Sequence, residues 1–332
     1  MASVNIVISS GDIDATLTNF PLVITQRDLP SEFWDDATSS NIQCKAEGGG
    51  SDLLTEVAWC DVPNERLRVH VLVPSISSSA DTTIELHWDV TQTNTGSVFT
   101  MYDLVVPMRL TSQGDLANYG SDAAGLTVQG PSSITWSDAN GANFPTGDAS
   151  IDVDVFSSTS DEYYMSVAAE LDTQHARNMI SIRDSGFTLA NDRLSTGSSG
   201  GSIATELIAS ANPESAFDPT FAPFTAHLLR TNTAGDATAS VWGDGGDKDS
   251  EAVTNDYDFD EVKIGEEFDS SNDWEGNMRE ARVTLDPSFI TDAWVKFESL
   301  NMLYTDDYTV TTGPEPAPPR PVRSIKINQY QG

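Results

Sequence analysis

A chain of 332 residues with 51 Asp and Glu against 17 Lys and Arg carries a formal charge of −34, and its 12 Arg outnumber its 5 Lys. Such a surface repels nucleic-acid phosphate and anionic membranes, so neither is expected as a partner; it reads as a skin kept hydrated in a salty, marine or halophilic medium. An apolar fraction of 38% suffices for packed cores, and the length allows two domains of ordinary size.

In chain order, the opening MASVNIVISSGDID lacks a basic n-region and an apolar h-region, which predicts no signal peptide, and no run of 18 apolar residues follows anywhere. Val4, Ile6 and Ile8 alternate with polar neighbours and predict a first strand. TNFPLVITQRDLPSEFW, NIQCKAE, LLTEVAWCDV, RLRVHVLVPSI and DTTIELHWDV follow, separated by Pro, Gly, Ser and Asp clusters, and predict a small antiparallel sandwich over residues 1–92. Cys44 and Cys60, the only cysteines, belong to no C-x-x-C pair. They are placed on the two strands of one hairpin, where a disulfide is geometrically conceivable and two free thiols are the favoured state. The polar TQTNTGS at Thr91–Ser97 reads as the domain boundary.

From Val98 onward, MYDLVVPMRL, GLTVQG, SITW, ASIDVDVF, YYMSVAAEL, NMISIRD, GFTLA, FTAHLLRT, ATASVWGD and EVKIGEEF read as strands. So many strands closed by one helix fit a two-sheet jelly roll over residues 98–304. In its closing segment, Asn277–Leu285 alternates imperfectly, as a half-buried edge or outer strand does. Asp286 then offers an N-cap and Pro287 occupies the first helical position. Phe289, Ile290, Ala293, Trp294, Phe297 and Leu300 fall at helical spacing, predicting about three turns of amphipathic helix, the one helix of the chain. The end changes character: five prolines between Pro314 and Pro321 predict a stiff extended spacer. Arg320, Arg323 and Lys326 fall there with no acidic residue among them, Ile325 and Ile327 are alternate apolar positions, and residues 313–332 read as a Pro-rich spacer and docking tail for an acidic neighbour's sheet edge.

At GNMREARVT followed by SFITDAWVKFESLNM the chain resembles the closing segment of concanavalin A-like lectin/glucanase domains of the laminin-G type, with Met278 and Arg279 in place of the usual isoleucine and aspartate. The stretch TAHLLRTNTAGDATASVWGDGG resembles that family's hairpin, with Asp244-Gly245 as the turn, and FDEVKIGEE its next strand. The first domain resembles a small β domain of unknown function that precedes laminin-G-like domains in bacterial, archaeal and phage surface proteins. The marks are LTNFPLV at Leu17–Val23, EVAW at Glu56–Trp59 and VLVPSI at Val71–Ile76, with LHWDV at Leu86–Val90 where that family ends differently.

Glucanases of this fold work with two carboxylates, commonly as E-x-D-x-x-E on one strand. The nearest approach is Asp152-Val-Asp154, where Ser157 stands in the third position and the alternation with Ile151, Val153 and Val155 reads as a hydrated outer face. His70, His87, His175 and His227 form no zinc motif. Laminin-G-like domains often hold one calcium ion, and Asp244–Asp249 is the stretch that could supply loop oxygens; the plainer reading is solvated turn charge, so no cofactor is expected, calcium being the one alternative. Carbohydrate needs an aromatic platform beside polar groups. Trp274 in its loop, and Trp136 beside Asp138 and Asn140, are the candidate glycan contacts, whereas Trp34, Trp59, Trp88, Trp242 and Trp294 sit in apolar patterns and read as core.

The sequence therefore predicts an all-β chain of two tandem β-sandwiches, the second a jelly roll closed by a short helix, with an extended tail. Its predicted role is non-enzymatic: a virion structural protein of a tailed phage or archaeal virus, a fibre, spike or decoration subunit. Such a subunit is made in the host cytoplasm and exposed on the virion surface, homo-oligomeric among other virion subunits and in contact with host-surface carbohydrate. A cellular lectin-like adhesin is the alternative, and a glycan-cleaving enzyme the third reading.

Overall fold

The computed structural model describes residues 2–312 apart from 131–133, 146–148, 173–176, 187–190, 197–201, 207–212, 216, 218–221, 234–235, 254–257, 267, 269–272 and 305–307. His175 and the docking tail, with Arg320, Arg323, Ile325, Lys326 and Ile327, lie outside the described residues. The architecture is all-β, as predicted.

The N-terminal sandwich sets a sheet of Ala2–Ile8, Thr82–Trp88 and Gln43–Ala46 against a sheet of Leu17–Thr25, Arg66–Ile76 and Thr55–Asp61. Alternation does the sorting: Val4, Ile6 and Ile8 are buried while their neighbours are half-exposed. Cys44 and Cys60 are free thiols, but they do not share a hairpin: one strand pairs into the first sheet and the other into the second. Gly48–Gly50 does turn the chain back on itself, with Lys45 bridged antiparallel to Asp52 and the Leu53 N–H on the Cys44 carbonyl at 2.9 Å, but the chain then passes into the other sheet at Thr55 before reaching Cys60.

The second sandwich stacks an eight-stranded sheet on a seven-stranded one. Tyr163, Met165, Val167 and Ala169 of one strand, Ala226 and Leu228 of the next, and Ala281 and Val283 of a third point into the common core with Ile180, Ile182, Val262 and Ile264 from the other sheet. Asp244 and Gly245 form the predicted turn, with φ of 46° and 67°, linking Asp236–Gly243 to Asp247–Val253. The acidic run after that turn is thus a paired strand, not a free loop.

Three expectations about the closing segment change. Gly276–Thr284 is not an edge or outer strand: it lies between Tyr163–Leu171 on one side and Gly141–Phe144 and Leu104–Pro107 on the other, and Met278–Thr284 is buried throughout. Its polar residues misled the pattern because they face a second buried layer rather than water. The strand must open on glycine, since Gly276 has φ 142° and an added Cβ would sit 2.2 Å from the Glu170 carbonyl oxygen. The predicted single helix is also two elements: Asp286 caps a short 3-10 turn, Pro287–Phe289, and Thr291 then caps the α-helix Asp292–Leu303, its hydroxyl accepting from the Trp294 N–H at 3.1 Å. Finally, it is not the one helix of the chain, for Ser31–Asp36 forms a short one after Pro30.

Helix Asp292–Leu303 lies on the outer face of the eight-stranded sheet and also against the first sandwich. Trp294 packs tilted and Phe297 edge-on against Phe20, with centroids 4.8 and 4.9 Å apart, and Asn301 bonds both the N–H and the carbonyl of Val23 at 3.3 Å. Fully burying each such aromatic contributes on the order of 1.5–3 kcal/mol. Past the helix the chain returns to the first domain, where Thr309–Thr312 pairs antiparallel with Ala2–Ile8 and the buried Tyr308 hydroxyl accepts from the Thr25 N–H at 2.9 Å.

Under the helix runs a line of alternating charges. Arg68 of the first sandwich donates to Glu280 at 2.7 Å; Glu280 accepts also from Arg282 at 2.7 Å; Arg282 donates to Glu298 of the helix at 3.0 Å. Glu298 further accepts from the hydroxyls of Tyr102 and Tyr164. All four charged side chains are at most 1% exposed, and two cations balance two anions. Burial alone would raise the Glu298 carboxyl, but hydrogen bonding from His227 and the charge of Arg282 outweigh it and hold the group at about 2. Removing one member strands its partner in low dielectric, so Arg68→Ala is expected to cost about 3–5 kcal/mol in urea unfolding. A loss below about 1 kcal/mol, the range of exposed pairs, would show that the bridge carries no such burden.

Candidate functional site: the interdomain cleft

The place where the two sandwiches meet is lined by residues of both. From the first come Trp59, Arg66 and Arg68; from the second come Arg109, Leu110, Tyr119 and Asp138; Tyr304, at the C-terminal end of the helix, closes the floor. Two cavities adjoin here, of about 40 and about 290 Å³, and Trp59 and Arg66 line both.

Local structure explains how each side chain arrives. A register shift in Thr55–Asp61 sets Val57 opposite Val69 but Trp59 opposite Arg68, so the strand bulges at Ala58 and turns the half-buried Trp59 toward the junction. The Arg68 guanidinium carbon lies 5.4 Å from the centre of the Trp59 ring. Arg109 follows strand Leu104–Pro107 and is fixed by its neighbours, since the Met108 N–H bonds the Arg279 carbonyl at 2.8 Å and Leu110 is buried. Tyr304 adopts left-handed φ of 58° at the helix C-cap, placing its ring 4.3 Å from the Arg109 guanidinium carbon. Its hydroxyl bonds Arg68, and burial, opposed by the nearby arginines, pushes the phenol up to about 12.

Of the predicted glycan contacts, the cleft gathers one. Asp138 reaches across from its hairpin to Arg66 of the other domain at 2.8 Å. Trp274 is not an exposed platform: it is 0% exposed inside the second core, 6.4 Å from Phe224. Its flanking acids suggested a loop, yet its N–H pairs with the Gly265 carbonyl at 2.8 Å, and Arg177 neutralises Glu275 at 2.7 Å, leaving the ring free to turn inward. Trp136 is half-buried against that same core and lines neither cavity, and Asn140 is exposed at the hairpin turn. Conversely Trp59, read as core, is at the cleft. Nothing in its apolar surroundings distinguishes it; the missing signal was the bulge. Arg109 was also passed over, although in a chain with 12 arginines against 51 acids an arginine in the apolar run LVVPMRL stands out.

The carboxylates of the cleft are committed: Asp138 to Arg66, Asp61 to the Asn64 amide at 2.8 Å, and Asp115 to the Ser112 hydroxyl at 3.0 Å. Asp152 stands on its sheet's outward side, bonded to Ser150 at 3.0 Å, and Asp154 is exposed. At the turn once considered for calcium, Asp244 accepts from the Thr225 N–H at 2.7 Å and Asp249 from the Glu214 N–H at 3.0 Å. Among the described residues no group of three or more His, Cys, Asp or Glu could hold a metal ion, and no helix is long and apolar enough to cross a membrane.

No family model matches the chain, and no curated protein matches it. Among solved structures it is similar to the Ruminococcus gnavus IT-sialidase CBM40 bound to α2,3 sialyllactose (11% identity, 42% of this chain and 82% of that one, TM-score 0.35). It is also similar to the binding domain of botulinum neurotoxin DC in complex with SialylT (11%, 61% and 52%, 0.42) and to Trypanosoma rangeli sialidase (9%, 71% and 42%, 0.44). Likeness at this level carries no argument about ligand or activity, which must come from the cleft itself.

Behind Tyr119 lies His70, fully buried, with ring centres 5.0 Å apart. Burial first, and then the charges of Arg68 and Arg282, lower its pKa well below the ordinary value. Neutral His70 accepts from Arg68 Nε at 2.8 Å through Nε2, so its proton sits on Nδ1, 3.0 Å from Glu56. Because the folded pKa is depressed, unfolding takes up a proton below the ordinary histidine value near 6.5. Stability present above that pH is therefore expected to fall as pH drops through about 6.5 to 5.5, and His70→Asn should flatten this slope in urea titrations; an unchanged slope would contradict the assignment.

Proposed function

We propose that the protein is a non-enzymatic recognition subunit on a virus-particle surface, its second sandwich of the concanavalin A-like, laminin-G type, and that it binds carbohydrate in the interdomain cleft. The observation that carries the binding reading is that Trp59 lines both cavities, with hydrogen-bonding side chains of both domains around it. Sugars present apolar C–H faces ringed by hydroxyls, and a site that pairs a partly open aromatic face with fixed donors and acceptors suits them. Rigid walls favour such binding because little ordering is left to be done when the ligand arrives.

The non-enzymatic reading is supported by the cleft's carboxylates, each engaged with a neighbour rather than presented as an acid and nucleophile pair. The virion reading is supported by the −34 charge, which keeps densely displayed copies hydrated, and by the proline-guided basic segment that follows the edge strand Thr309–Thr312. The binding proteins among the structural neighbours, one of them in complex with sialyllactose, supply glycans to screen.

On a glycan array, Trp59→Ala is expected to lose at least tenfold in affinity for whichever oligosaccharide the wild type holds, about 1.4 kcal/mol. Retention of full affinity would remove the cleft from consideration. Quantitative mass spectrometry of purified particles should find the chain in many copies, fewer when residues 314–332 are deleted; its absence from particles would defeat the virion assignment and leave the cellular adhesin.

A further inference from the structure

We infer that the cleft is specific for acidic saccharides, with Arg109 holding the sugar's carboxylate while the ring lies against Trp59. This rests on the reading of the cleft as a glycan site and adds the charge of the ligand.

The argument begins with where the arginines go. Arg66, Arg68, Arg177, Arg183, Arg230, Arg279 and Arg282 each hold a carboxylate, and Arg27 donates to the Tyr308 carbonyl at 2.9 Å. In a chain with three acids for every base this is the expected state. Arg109 departs from it: no carboxylate bonds it, its Nε is buried without a hydrogen-bond partner, and its one close companion is the Tyr304 ring. The charges near it, Arg68, Arg279 and Glu280, are each engaged with other groups; burial first, with the two cations and against the opposing effects of Tyr304 and Glu280, pulls its pKa down to about 10, so it stays charged at neutral pH. A cation taken out of water with no anion opposite it costs stability, and a site keeps such a group where a ligand supplies the missing charge.

Shape narrows the ligand. Arg109 lines the smaller cavity, whose 40 Å³ has room for a carboxylate or two to three waters but not for a sugar ring. The larger cavity, of about 290 Å³, shares Trp59 and Arg66 with the smaller one and approaches the size of a small-ligand site. A planar guanidinium matches a carboxylate with two parallel bonds. The adjoining volumes therefore fit one molecule that carries a carboxylate beside a pyranose ring, as uronic acids do, rather than a free anion or a neutral sugar.

Isothermal titration of the full chain with galacturonate and glucuronate tetrasaccharides, their carboxyl-reduced counterparts and sodium acetate tests this. At least one uronate should bind ten or more times tighter than its reduced form, with acetate far weaker than either. Arg109→Gln should remove that preference, lowering affinity for the uronate at least tenfold more than for the reduced form, and its thermal midpoint should equal or exceed wild type, since an uncompensated charge is gone. Arg109→Lys, which keeps the charge without the fork, should show an intermediate loss and serves as the reading if the Gln variant does not fold. Equal affinity for charged and reduced forms, or no effect of either substitution, would overturn acidic specificity while leaving a glycan site. Acetate binding as tightly as the tetrasaccharides would make this a bare anion pocket, and failure of every saccharide, charged or reduced, would overturn both readings.

Discussion

The four charges Arg68, Glu280, Arg282 and Glu298 lie in a row beneath one helix, and the relation between the two sandwiches depends on them. Its members come from three walls: Arg68 from the first domain's central strand, Glu280 and Arg282 from one strand of the second domain, Glu298 from the helix laid across both. Two hydrophobic sandwiches joined by a short polar stretch would ordinarily move relative to one another, because apolar contact is indifferent to small sliding. Buried charges are not. Any shear that lengthens the Arg68–Glu280 contact leaves ions unpaired in a medium that cannot solvate them, so one relative placement is selected.

The cleft inherits its geometry from that placement. Arg66 and Arg68 are two residues apart on one strand: the second enters the buried row while the first crosses the open junction to Asp138. Tyr304 caps the same helix and touches Arg68 below and Arg109 beside it. Arg109 is thus set against a fixed background of paired charges, and its lack of a partner is a property of the site rather than of a loosely held side chain. Among the described residues, where nearly every cation is paired with one of a surplus of acids, Arg109 is held with no carboxylate bonded to it, and that contrast is the ground for the inferred acidic ligand.

What the sequence revealed and what it hid follow from the same physics. Alternation reports a boundary between apolar core and something else, so it pointed to strands in both sandwiches, while the Asp244-Gly245 turn followed from the family resemblance. It does not say whether that something else is water. Glu280, Arg282 and Thr284 alternate as a solvated face does, and were read so, yet a helix and a second domain cover them. Local cues also decided Trp274 and Trp59 the wrong way round: acids beside Trp274 suggested exposure although its ring is in the core, and apolar neighbours of Trp59 suggested burial although a bulge turns it to the cleft. A contact such as Arg66–Asp138 joins residues 72 positions apart across two domains and leaves no trace in either neighbourhood. The helix boundary was missed by smaller margins, since Asp286 does cap a turn, and only Thr291 restarts the chain as an α-helix.

A buried ionic row fixes two sandwiches, and their junction presents an aromatic wall and an arginine bonded to no carboxylate in a chain of net charge −34. The most direct measurement is a crystal structure of the chain with a bound uronate tetrasaccharide. The account predicts its carboxylate within about 3 Å of the Arg109 guanidinium, a charge-assisted distance, and its ring stacked on Trp59. A sugar found instead on the exposed hairpin at Asn140, or anywhere clear of both side chains, would contradict it.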